Sequence, residues 1–172
     1  MGSGYGIKCT DCDYEISISE GVGMQHSPNA VFYGRCDDPS QNWSIAFPDG
    51  YCEEGRPLLF EIIKDEAIKS KASEFLKNGA KPDEYYGYEL YSCPECSLLD
   101  NLFYFKLKSK SETYEPEYHC KKCNSISLRA KIKFNKAGEC KIAYFNKRKL
   151  DLICPECGCN KLVDNGEFIL WD

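Results

Sequence analysis

Apolar and polar side chains alternate with a period of two along much of this chain. Ile16 and Ile18 alternate with Ser17 and Ser19, which predicts strand, turn, strand over residues 5–20. Phe103, Phe105 and Leu107 alternate with Tyr104, Lys106 and Lys108, a second strand signal over residues 102–108. Leu128, Ala130, Ile132 and Phe134 alternate with Arg129, Lys131 and Lys133 over residues 127–134. A turn at residues 135–139, centred on Gly138, leads into a returning strand over residues 141–145.

The period changes once, between residues 57 and 78. Leu58, Leu59, Ile62 and Ile63 make an apolar face, which Ile68, Phe75 and Leu76 continue imperfectly. This predicts a helical region with a break near residues 64–66. Pro57 suits a first helical position, and Asn78-Gly79 suits a stop. Residues 24–56 hold Pro28, Pro39, Pro48, Asp37-Asp38 and Asp49-Gly50, a loop composition, although Trp43, Phe47 and Tyr51 give these loops something to pack with. The predicted class is mainly β with one helical region.

Eight of the twelve cysteines fall into four Cys-x-x-Cys pairs: Cys9/Cys12, Cys93/Cys96, Cys120/Cys123 and Cys154/Cys157. Each pair places two thiols on one tight turn. Two such turns face each other to make a tetrahedral four-sulfur shell, so four turns imply two metal ions. Two zinc ions are expected, with iron an alternative at one site. Two pairings are open. A nested scheme joins Cys93/Cys96 to Cys120/Cys123 and Cys9/Cys12 to Cys154/Cys157. A tandem scheme joins Cys9/Cys12 to Cys93/Cys96 and Cys120/Cys123 to Cys154/Cys157. Proline follows the first cysteine in Cys93-Pro-Glu-Cys96 and Cys154-Pro-Glu-Cys157 but not in the other two turns, which tilts the choice toward tandem.

The remaining thiols carry less. Cys36, Cys52 and Cys140 read as small buried residues. Cys159 is a spare thiol two residues past Cys157. His119 and His26 read as surface residues or as neighbours of the metal ligands.

The division expected is an N-terminal part, residues 1–92, with a knuckle and a loop-and-helix insertion, and a β-rich part, residues 93–172, packed together as one unit. Charge follows it. Residues 1–92 carry 8 basic and 16 acidic side chains, residues 93–172 carry 14 and 11, and the whole is −5. No apolar stretch approaches the ~20 residues of a membrane helix. The first residues lack the basic start and apolar run of a secretion signal, so the expected location is cytoplasmic, where thiols stay reduced and hold metal.

The chain resembles zinc-ribbon, rubredoxin-like proteins at these residues. Cys9-Thr-Asp-Cys-Asp-Tyr-Glu15 is similar to a first rubredoxin knuckle, with Asp13 where that family has glycine, and Cys154-Pro-Glu-Cys-Gly-Cys-Asn-Lys161 is similar to the second. Cys93 to Cys123, with a hairpin over residues 106–112, resembles ribbons of transcription elongation factors. Their acidic pair at the hairpin tip is replaced here by Ser111-Glu112, which argues against a catalytic role. As a whole the chain resembles small uncharacterised bacterial zinc-ribbon proteins, in its Cys-x-x-Cys-x-Tyr-Glu opening, its Gly21–Met24 stretch and its Trp171-Asp172 ending.

Three functions fit. Between residues 121 and 149 lie ten basic side chains (Lys121, Lys122, Arg129, Lys131, Lys133, Lys136, Lys141, Lys147, Arg148, Lys149) and one acid, Glu139. Lys121, Lys122, Arg129, Lys131, Lys133, Lys147 and Arg148 are the candidate nucleic-acid contacts, with Tyr144 and Phe145 available to stack on unpaired bases. The competing explanation is that outward lysines merely protect strand edges. A protein-interaction adaptor with an acidic and a basic half is the second function, and iron electron transfer the third. Closed four-cysteine shells leave no open metal position, and no phosphate loop or nucleophile motif is present, so no enzymatic activity and no small-molecule substrate are expected.

Overall fold

A computed structural model describes residues 2–23, 26–34, 57–145 and 149–171. The chain is mainly β. Eleven strands are described: β1 (Gly2–Cys9), β2 (Glu15–Glu20), β3 (Lys81–Pro82), β4 (Gly87–Ser92), β5 (Leu99–Tyr104), β6 (Leu107–Lys108), β7 (Thr113–Tyr114), β8 (Leu128–Phe134), β9 (Cys140–Tyr144), β10 (Lys149–Asp151) and β11 (Leu162–Trp171). The helices are α1 (Leu59–Ile62) and α2 (Glu66–Lys77), preceded by a π-helical turn at Asn29–Tyr33.

The chain divides into two units, each discontinuous in sequence. The first contains Met1–Gly21, Gly87–Tyr104 and Glu117–Asp172. It holds two antiparallel sheets, with strand orders β11-β1-β2 and β10-β9-β8-β4-β5. Its apolar core draws on both: Ile7, Ile18 and Leu162 from one, Leu90, Leu99, Ala130 and Ile142 from the other. The β8 alternation expected from the sequence holds, since Ala130 is buried while Lys131 and Lys133 are exposed. Asn101 ties the sheets, donating from Nδ2 to the Ser19 carbonyl at 2.7 Å and accepting from the Ser19 amide at 3.0 Å. Gly21 and Tyr88 exchange two backbone hydrogen bonds of 2.9 and 2.8 Å. Beside them Gly87 has a φ of 147°, and a Cβ there would lie 2.7 Å from the Gly21 backbone. No other residue fits that crossing.

The second unit contains Val22–Tyr86 and Phe105–Pro116. The helical region breaks after Ile62, as the sequence predicts, because Ile63 takes an extended conformation. Asp65 then caps α2, its carboxylate accepting from the Ala67 and Ile68 amides at 2.9 and 3.0 Å. The core is aromatic: Phe32 packs on Tyr86 with ring centroids 5.1 Å apart, and Phe75 on Tyr114 at 5.3 Å. A small sheet, β3-β6-β7, completes it.

One predicted strand is divided. Residues 102–108 end as β5 at Tyr104 and resume as β6 at Leu107. Phe103, Phe105 and Leu107 are buried as expected, but Tyr104 between them is buried too, so the period-two alternation is broken where the strand divides. The ladder ends there because the chain leaves the first unit at Tyr104 and the Lys106 carbonyl accepts from the Asp83 amide at 2.8 Å. Trp43, Phe47, Tyr51, Cys36 and Cys52 lie outside the described residues.

Candidate metal centres

Each Cys-x-x-Cys turn is built the same way at its entry. The amide of the first cysteine donates to the carbonyl five residues on: Cys9 to Tyr14, Cys93 to Leu98, Cys120 to Ser125 and Cys154 to Cys159, all at 2.8–2.9 Å. Three turns also close from the other side, with the Ser97, Asn124 and Gly158 amides donating to the carbonyls of Cys93, Cys120 and Cys154 at 2.9–3.0 Å. Those three residues hold a positive φ of 59°, 60° and 75°. Glycine and asparagine take that conformation readily, whereas Ser97 bears strain to keep the turn. Asp13, at the equivalent place in the first turn, is not among the residues of positive φ. The first knuckle is therefore a variant of the other three.

The pairing is nested, not tandem. Strand pairing decides it. β1 runs antiparallel to β11 with Cys9 opposite Leu162, and the Thr10 amide donates to the Lys161 carbonyl at 3.2 Å. This brings the Cys9/Cys12 turn against the Cys154/Cys157 turn, with Sγ separations of 3.6 Å for Cys9–Cys157 and for Cys12–Cys154. Lys161 and Asp11 close an ion pair of 3.0 Å across them. Likewise β4 pairs with β8, Ser92 opposite Leu128, which sets Cys93/Cys96 against Cys120/Cys123. There Sγ separations are 3.4 Å for Cys93–Cys123 and 3.5 Å for Cys96–Cys120. The proline pattern that favours tandem is a property of single turns and carries no information about partners.

In each group all four sulfurs lie within 4.8 Å of one another. A tetrahedron with metal–sulfur bonds of about 2.3 Å has edges of about 3.8 Å, so both groups fit a single ion. Electrostatics point the same way. The Asp11 amide donates to Cys9 Sγ and the Lys122 amide to Cys120 Sγ, both at 3.4 Å. Desolvation pushes the Cys9 thiol up, but the Asp11 amide and adjacent thiols hold it down to about 6. The Ser125 hydroxyl and amide hold Cys123 down to about 6. Desolvation and neighbouring sulfurs push Cys96 up to about 12. Clustered thiols cannot all ionise together unless a cation neutralises them. The two groups could each hold a metal ion.

The other candidates fall elsewhere. Cys140 is buried in the core. His119 is exposed, with Nδ1 3.1 Å from the Asn124 carbonyl and Nε2 3.6 Å from Glu117. His26 belongs to the other unit, where burial lowers its pKa. Lys121 pairs with Asp100 at 2.7 Å. Lys122 donates to the Pro155 carbonyl at 2.9 Å, tying one centre's turn to the other's. Arg129, Lys131 and Lys133 share the outer face of β8, while Lys147 and Arg148 lie outside the described residues. Tyr144 cannot stack on a base: it is buried, and its hydroxyl lies 3.1 Å from the Ser92 hydroxyl. Phe145 is 47% exposed. The Arg129 guanidinium lies 3.9 Å from the ring centroids of both Tyr104 and Phe145. The sequence places Tyr104 only as a strand position; its contact with Arg129 joins segments distant in the chain and is not legible from spacing.

Comparison with known proteins returns nothing: no family model, no curated protein and no solved structure matches this chain.

Proposed function

We propose that this is a non-catalytic zinc-ribbon protein, in which two zinc ions hold one β unit together and the outer face of its five-stranded sheet binds single-stranded nucleic acid. A four-sulfur shell accepts zinc or iron alike; zinc is the reading taken because two closed shells clasping strands of one β unit suit a folding role, which needs no change of oxidation state. No position remains for a substrate on either ion.

The observation that carries the binding reading is the row on β8 and β9. Arg129, Lys131 and Lys133 project from alternate positions, roughly 6.8 Å apart. Lys141 sits opposite Lys133 on β9, with Phe145 just beyond that strand. Among the described residues, Lys131, Lys133 and Lys141 have no salt-bridge partner. Cations free of salt bridges, with Lys131 Nζ 5.5 Å from the Phe145 ring centroid, match what a flexible strand offers, phosphates in sequence and a free base to stack. A duplex keeps its bases stacked inside and gains nothing from Phe145. The acidic excess of the whole chain lies in residues 1–92, away in sequence from this row.

The test is fluorescence anisotropy with a labelled single-stranded oligonucleotide and its duplex over a salt series, alongside metal analysis by native mass spectrometry. The expected result is two zinc ions, tighter binding to the single strand, and a salt slope that falls by about 0.7 for each of Lys131→Ala and Lys133→Ala. Phe145→Ala is expected to cost about 1–3 kcal/mol on the single strand alone. Absence of binding at low salt defeats the nucleic-acid reading and leaves a protein partner for this face. A red iron form defeats the zinc assignment.

A further inference from the structure

The four turns permit a comparison inside the molecule. The residue whose carbonyl closes each turn is Tyr14, Leu98, Ser125 or Cys159. One turn of the four thus carries a thiol at its closing position, and it belongs to the centre formed by Cys9, Cys12, Cys154 and Cys157. Cys159 Sγ lies 3.3 Å from Cys9 Sγ, nearer than Cys157 Sγ at 3.6 Å. It stands outside the compact group of four. Five thiols therefore crowd a shell with four places, and the fifth, partly exposed, touches a ligand. In the other centre the equivalent positions hold Leu98 and Ser125, which cannot form a disulfide.

We propose that Cys159 is an oxidation site, through which a peroxide opens the Cys9/Cys12/Cys154/Cys157 centre while the Cys93/Cys96/Cys120/Cys123 centre stays closed. This rests on reading both groups as metal centres. The Cys159 thiol is partly exposed and is not one of the four sulfurs grouped for the metal, so a peroxide can reach it without first breaking a metal–sulfur bond. The Cys159 sulfur attacks one peroxide oxygen and the O–O bond breaks. That oxygen remains on sulfur as a sulfenic acid, and the other leaves as water. The Cys9 sulfur then releases the metal and attacks Cys159 sulfur, forming the S–S bond and expelling hydroxide, which takes a proton to become the second water. Two thiols are oxidised by two electrons and one peroxide is reduced to two waters. Three thiols remain at the opened centre, too few to close a structural shell.

The experiment treats the intact metal-loaded protein with hydrogen peroxide. It follows metal stoichiometry by native mass spectrometry and maps disulfides by peptide mass spectrometry. The expected course is loss of one metal of two with a Cys9–Cys159 linkage. Cys159→Ser is expected to bind two metals when purified and to lose the first about tenfold more slowly. Equal loss rates in the two proteins, simultaneous loss of both metals, or a linkage that omits Cys159 overturns the proposal. Untreated protein that lacks two metals overturns the metal reading and the proposal with it. Two metals retained under peroxide overturn the proposal alone.

Discussion

Glu89 is the buried carboxylate among the described residues, 2% exposed on β4, between β8 and β5 of the five-stranded sheet. Its Oε2 has no hydrogen-bond partner. Burial raises its pKa, and Arg129 and Lys131 oppose that only in part. The folded state therefore favours the protonated acid. Its stabilising contribution is complete below the ordinary carboxylate pKa and is lost as pH rises through the folded value. Glu89→Gln, neutral at every pH, is expected to unfold at a higher temperature than the parent at pH 7. The gap should close as pH falls toward 4.5, the ordinary value for this carboxyl, as read by circular dichroism on both proteins at each pH. A gap independent of pH would mean that the charge is not the cause. Neighbouring residues can also take opposite parts. Tyr144 and Phe145 are adjacent aromatics, yet β9 turns the first into the core and leaves the second on the surface. Alternation foretells that they differ. Which of them faces out depends on the register of β9 against β8, where Ile132 meets Ile142.

At the scale of elements, the knuckles and hairpins were legible because their signals are local. The β8–β9 hairpin turns at Asn135, whose amide donates to the Glu139 carbonyl at 3.0 Å, and Gly138 supplies a φ of 78°. The hairpin expected over residues 106–112 is present as β6 and β7, with Ser109 and Glu112 joined at its tip. The α1–α2 break was legible too, since the apolar face of Leu58, Leu59, Ile62 and Ile63 continues only imperfectly past residues 64–66; the cap by Asp65 came from the structure. The crossing of β2 and β4 was not. Gly87 looks like any loop glycine until the Gly21 backbone is seen against it. Gly87→Ala brings both a disfavoured φ and a contact of 2.7 Å with backbone that cannot swing aside. We expect it to cost about 2 kcal/mol or more, measured by urea denaturation. Gly138→Ala has open space around its Cβ and is expected to show the φ penalty alone.

At the scale of the molecule, the nested pairing means that a metal held by either four-cysteine group would clasp a strand pair distant in sequence. Cys9 and Cys157 are 148 residues apart, and Cys93 and Cys123 are 30. A filled structural zinc site supplies roughly 10 kcal/mol of folding free energy, most of which goes when one ligand is removed. Cys120→Ser is therefore expected to reduce the stoichiometry to one metal and to lower the thermal midpoint steeply. Cys140→Ala deletes a buried thiol that belongs to neither group, keeps both metals, and is expected to cost about 1 kcal/mol. Equal losses from the two would remove the clasp role. Chelation of wild-type protein should go further than either substitution, because it opens both clasps of the first unit.

What the sequence by itself determined here is chemical and local. The eight cysteines of the two candidate shells, the alternation of β8, the helix break and the charge row on β8 all follow from residue type and spacing within a few positions. Only the tertiary structure decided which turn meets which, where one unit gives way to the other, and that Cys159 stands against Cys9. The physical reason is that a Cys-x-x-Cys turn has the same local energy with any partner. The choice is made by the pairing of β1 with β11 and of β4 with β8, whose hydrogen bonds and buried side chains join segments far apart in the chain.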